Sequence, residues 1–297
     1  MSAVYFPFPG LGSPPSFRGN LSTKLRITKA SIDTPKPLSP EISLRKAQRS
    51  RPMPDLPISL DILTLLVTTS FIASLLTASV GIGGGTLVLA VLVVTVPITA
   101  VVPLHSVVQL GSNSGRTVMT RHHISKPLFW PLVIGAIVGT LLAAPLSAFW
   151  LTDLQLTLLL ATFTLIVTWV PIPAVKTHST RRNLLFSVVV SFIGVFVSAT
   201  GPLIAAFLRH QAADRKELVA TMAASVSTMN FLRIVLFSSL GFFWSEWLVP
   251  LALMIAAGFG GTLIGLQLLG RLPEKLFQTI LKLLLTVLAL SMIIRTL

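Results

Sequence analysis

From Leu60 onward the chain is a succession of apolar runs joined by short polar links, at approximately 60–80, 86–103, 104–120, 127–150, 154–171, 184–208, 217–238, 247–270 and 276–295. A helix needs ~20 apolar residues to cross ~30 Å of hydrocarbon. Helices and closed barrels are the only backbones that can do so, because lipid offers no partner for a free amide. Several runs reach that length with few charges, and only 11% of the chain is charged, where a soluble domain carries about a quarter. The expected fold class is therefore an all-α polytopic membrane protein.

Residues 1–57 read differently. They are rich in Pro, Ser, Lys and Arg, show neither helical nor strand periodicity, and carry nine basic against three acidic side chains. Such a tail is expected to be disordered. It fits a cytoplasmic extension, a transit peptide, or an untranslated stretch with the start at Met53. The formal charge of +14 lies in this tail and at the ends of the apolar runs, where basic residues act as orientation signals, so no nucleic-acid partner is expected.

The first two runs flank "GIGGG", with Gly81, Gly83, Gly84 and Gly85 in five positions. Glycine weakens helices and frees amides to face a ligand. We read 60–96 as a broken span plus a half-helix, leaving about eight crossings. A helix restarting at Thr86 aims its positive end at the break. Close packing through small residues is the competing explanation.

The chain also repeats itself. "SFIASLLTASVG" (Ser70 to Gly81) aligns with "SFIGVFVSATGP" (Ser191 to Pro202) at an offset of 121, "SNSGRTVM" with "MNFLRIVL" at 117, and "VGTLLA" with "GGTLIG" at 122. This divides the chain into a first repeat at 58–172, a basic linker at 173–183 and a second repeat at 184–297, each with four helices and a break near the midplane. The second break is "SATGPL", around Gly201. With the amino terminus inside, the links "RHHISK" and "KTHSTRR" fall inside, but "RHQAADRKE" and "RLPEK" face out. An inverted second half would repair this, but needs an odd number of spans in the first.

Polar positions shared by the repeats form the candidate site. Asn113 and Arg116 are three apart, as are Asn230 and Arg233, which places an amide and a guanidinium on one helix face. Both groups suit an oxyanion. Either arginine could instead snorkel to the interface. No Asp or Glu lies between Ile62 and Thr152, so a buried carboxylate relay has no residue there. His105 is a candidate for proton coupling, or a hydrogen-bonded histidine at a helix start after Pro103. There is no cysteine, no metal-ligand cluster and no nucleophile–base arrangement, so neither an enzyme, a metal nor a cofactor is expected.

"SVGIGGGTL", "PLHSVVQLGSNSGRTVM", "ATGPL" and "VATMAASVSTMNFLRIVLF" together resemble the TauE/SafE family of sulfite exporter and anion permease-like proteins, over about residues 58–297. The resemblance implies a two-repeat transporter of the cell (inner) membrane that moves sulfite, a sulfonate or another small organic anion, usually outward. The expected partners are that anion and the lipid bilayer. Its binding residues would be Gly81, Gly83, Gly84, Gly85, Thr86, Asn113, Arg116, Gly201, Asn230 and Arg233. A passive anion channel and a non-transporting membrane subunit are the alternatives.

Overall fold

A computed structural model describes residues 57–80, 84–147, 152–170, 178–198, 200–268 and 274–296. The expected tail, apart from Pro57, lies outside these residues, as do Gly81, Gly83 and part of the expected linker. The described residues form ten α-helices: α1 (Leu60–Val80), α2 (Gly84–Thr95), α3 (Ile98–Thr120), α4 (Lys126–Ser147), α5 (Asp153–Trp169), α6 (Thr180–Val197), α7 (Gly201–Leu208), α8 (Arg215–Ser239), α9 (Leu248–Gln267) and α10 (Glu274–Thr296). Five helices, α1, α4, α6, α8 and α9, are long and apolar enough to cross a membrane, while α2 and α5 are shorter apolar helices. Although α3 has 23 residues, His105, Gln109, Ser112, Asn113 and Arg116 make it too polar for that test, and all five are buried in the protein.

Two expectations shift. The apolar runs 86–103 and 104–120 meet inside one helix, because the chain turns at Pro97 and α3 continues through Pro103. Proline disfavours a helical residue before it, which ends α2 at Thr95. His105 therefore lies well inside α3 and not at a helix start. The half-helix expected after the glycine break is α2, a separate 12-residue helix. Its first residue sits so close to α1 that a Cβ on Gly84 would overlap the Ala73 carbonyl, so α2 folds back along α1.

Two pairs of helices pack closely through small residues. On α4, a Cβ at Gly135 or Gly139 would run into the carbonyls of Leu184 or Val188 on α6; on α9, one at Gly261 or Gly265 would run into those of Phe71 or Leu75 on α1. Spacing of four on one face lets backbones approach, the means by which helices associate in lipid. Hydroxyls reinforce both contacts: Ser70 donates to the Met254 carbonyl at 2.7 Å, and Ser191 to that of Ala136 at 3.0 Å. In each pair residue numbers rise together, so the paired helices run parallel.

The buried apolar side chains form two main cores. One draws on α1, α2, α3 and α9, with edges of α5 and α10 and Val197 of α6. The other draws on α4, α6, α7 and α8. They meet where α3 packs against α8. Outer faces stay apolar, with Ile134, Leu141, Val189, Val235 and Ile264 exposed. Helices hydrophobic all round belong in lipid.

Candidate functional site

Between the two cores lies a cavity of about 30 Å³. The beginnings of two short helices face it, Gly85 and Thr86 of α2 and Gly201 and Pro202 of α7. At ~1.5 Å per residue, α2 with 12 residues and α7 with 8 are only about 18 and 12 Å long. Neither is long enough to span the hydrocarbon unaided, and each brings the positive end of its dipole inside the protein. Proline within the first turn of α7 costs no hydrogen bond, since that amide has no helical partner.

The break before α7 is made by Ser198, which takes the left-handed conformation at φ 61°. For a residue with a Cβ that costs ~1–2 kcal/mol, and polar contacts hold it there. Arg233 donates through Nη1 to the Ser198 carbonyl at 3.3 Å and to Asn230 Oδ1 at 2.9 Å, and through Nη2 to Thr200 Oγ1 at 3.1 Å. Gly194 leaves room for this guanidinium: a Cβ there would strike Arg233 and Thr200. Gly201, expected to supply the break, adopts no left-handed conformation, and a Cβ on it would meet nothing within 4 Å.

His105 connects the two helix beginnings. Its Nε2 lies 2.8 Å from the Gly85 carbonyl and its Nδ1 2.6 Å from Ser198 Oγ. The carbonyl can only accept, so in the neutral ring Nε2 carries the proton and Nδ1 accepts from Ser198. On α3, Arg116 donates through Nη1 to Asn113 Oδ1 at 2.9 Å and through Nη2 to Ser112 Oγ at 3.4 Å. Both arginines are fully buried and neither snorkels. Their hydrogen bonds go to neutral oxygens, and the sequence places Asp214, Glu217 and Glu246 at the ends of α8 and before α9.

A family model described as sulfite exporter TauE/SafE matches residues 66–292. The chain belongs to the TauE/SafE family. No curated protein and no solved structure matches it. Family membership and the apolar helices together make it a multi-pass membrane protein of a transporter family, not of an enzyme family.

In this TauE/SafE protein the cavity gathers Gly85, Thr86, His105, Asn113, Gly201 and Asn230 of the residues singled out in the sequence. Arg116 and Arg233 stand one hydrogen bond behind, each on the carbonyl oxygen of its asparagine. Gly84 packs against α1, and Gly81 and Gly83 lie outside the described residues. Thr77, Gln109, Met222 and Val226 also line the cavity. The sequence did carry a signal for three of them. Positions 105, 109 and 113 are spaced by four on one face of α3, and the offset of 117 converts them to 222, 226 and 230.

Proposed function

We propose that this protein is a secondary transporter that exports a small oxyanion across the cytoplasmic membrane, with the cavity between α3 and α8 as its binding site. The observation that carries the reading is one asparagine from each half on the cavity wall, each backed by a buried arginine with no carboxylate partner among the described residues. Uncompensated cations are costly at membrane depth, and an anion in the cavity would offset them. Each arginine fixes its asparagine with the oxygen turned away, and the two helix beginnings add positive potential from either side.

The arrangement of helices supports an inverted repeat of five helices in each half. Under that exchange α1–α9 becomes α6–α4, α4–α8 becomes α9–α3, and α3–α8 and α5–α10 map onto themselves; all of these pairs are in contact. Gly139 and Gly261, 122 residues apart, make the same kind of close approach. The two moving bodies of an alternating-access cycle would then not be the sequence halves themselves. Each would hold three helices of one half and the fourth of the other, following the two apolar cores.

Five helices per half supply the odd number that an inverted second half requires, provided that each short helix, with the break before it, returns the chain to the other side. Arg215 at the start of α8 bonds the Ser79 carbonyl at the end of α1, Ser125 bonds Thr221, and His178 bonds the Pro127 carbonyl. One end of the bundle thus gathers the links with Arg121, Lys126, Arg181, Arg182, Arg209, Arg215 and Lys216. The opposite end carries Asp61, Asp153 and Glu246. Placing the basic end in the cytoplasm satisfies the positive-inside rule for both halves. Residue Leu60 then lies on the outer side, the reverse of the orientation read from the first half alone.

The test is thermal unfolding of the purified full chain against sulfite, sulfate, thiosulfate, sulfonates, short carboxylates and chloride at matched ionic strength. A bound anion at 100 times its dissociation constant adds about 2.7 kcal/mol. Stabilisation by an oxyanion, lost in Asn113→Ala/Asn230→Ala, is the expected result. Equal stabilisation of the wild type and this double variant would overturn the site.

A further inference from the structure

Side-chain hydrogen bonds join the two apolar cores across the seam at two levels. His105 of α3, in the first core, accepts from Ser198 Oγ at 2.6 Å, and Ser106 Oγ lies 3.5 Å from the same hydroxyl. Ser198 is itself held by Arg233 of α8, a helix of the second core. Arg215, the first residue of α8, donates to the Ser79 carbonyl near the end of α1 at 3.2 Å.

The two bonds lie on opposite sides of the cavity. The end of α3 and the start of α8 share the basic end of the bundle, where Ser125, just past α3, donates its amide to Thr221. The two helices are therefore antiparallel. His105 stands seven residues past Ile98, and Met222 seven past Arg215, so each is about 10 Å in from an opposite end. With the basic end in the cytoplasm, the His105–Ser198 bond lies on the outer side of the cavity and the Arg215–Ser79 bond on its cytoplasmic side.

Neither bond is repeated in the other half. The offset of 117 pairs His105 with Met222 and Arg215 with Ile98, and the offset of 121 pairs Ser198 with Thr77 and Ser79 with Thr200. A thioether is a weak acceptor beside an imidazole, and the Thr77 hydroxyl donates to the Ala73 carbonyl of its own helix. Ile98 has no side-chain donor. Two halves of equal sequence would close both sides by the same contacts, since alternating access rocks one repeat-derived body against the other around a fixed site. Here each side has a polar contact of its own.

We infer that His105–Ser198 and Arg215–Ser79 are the two gate latches of the transport cycle. The first parts for the cavity to open outward, and the second parts for it to open to the cytoplasm. This rests on the transport reading and adds the residues that control access to its site. With both bonds made, the cavity of about 30 Å³ holds little more than water, as a site shut on both sides should. Each latch favours one closure, so its loss moves population to one side only.

The chain has no cysteine, so a single one, Val226→Cys on the cavity wall, reports access. Its rate of modification by a membrane-impermeant methanethiosulfonate is read in right-side-out and inside-out vesicles carrying the full chain. His105→Met, which installs the residue of the other half, is expected to raise labelling from outside about fivefold without raising it from the cytoplasm, the effect of one lost hydrogen bond on a two-state equilibrium. Arg215→Ile is expected to do the reverse. Ser198→Ala and Arg215→Gln carry the same two expectations where the first variants do not fold. Both rates rising together in each variant, or neither changing, would overturn the latches and leave the transport reading intact. No oxyanion efflux from proteoliposomes holding the wild-type chain would overturn the transport reading, and the latches with it.

Discussion

Arg116 and Arg233 stand at equivalent places in the two halves, both buried and both bonded to an asparagine three residues earlier, yet they do different work. Among the described residues Arg116 bonds Asn113 and Ser112 of its own helix. Arg233 reaches across to Ser198 and Thr200 and holds the break between α6 and α7. The likeness gives the site its paired asparagines. Among the described residues, the difference ties the second break to its arginine and, through Ser198, to His105 on α3.

The comparison orders the effects of substitution. Arg233→Ala leaves three buried oxygens short of a donor and frees the strained Ser198. It should cost about 3 kcal/mol in thermal unfolding, where Arg116→Ala costs about 1–2, because each orphaned group is worth ~1–3. Equal losses would show that the break does not depend on Arg233. Next, Gly84→Ala should cost about 2 kcal/mol, since the added methyl meets backbone at Ala73. Smaller again is Ser198→Ala, which removes the donor to His105 and should cost about 1 kcal/mol. Thr77→Val, at the matching position of the first half, removes only a bond to the Ala73 carbonyl of the same helix and should cost less than half as much. Last, Gly201→Ala should leave stability in thermal unfolding unchanged or raise it by up to about 1 kcal/mol, because the site is open and unfolded-chain entropy falls.

Much of this was legible in the sequence. Run lengths and scarce charges led to the helices, and the polar matches at an offset of 117 led to Asn113 and Asn230. Topology was less legible. A run interrupted by glycines reads the same whether the chain continues or turns back, and only the contact of Gly84 with Ala73 distinguishes them. Pro103 also misled, because a proline inside a buried helix can be accommodated while Pro97 ends one. Gln109, Met222 and Val226 carried a signal in their spacing of four and the offset of 117, but a stripe at helical spacing looks like ordinary core until a cavity is found beside it.

The central claim is that an anion passes through the seam between α3 and α8, and efflux from proteoliposomes tests it most directly. A panel of small oxyanions would be loaded, and the wild-type full chain compared with Asn113→Ala/Asn230→Ala at matched folded protein. The account predicts that the wild type releases at least one oxyanion and that the double variant slows this by tenfold or more, equivalent to the loss of about 1.4 kcal/mol. Equal rates in the two proteins would contradict it.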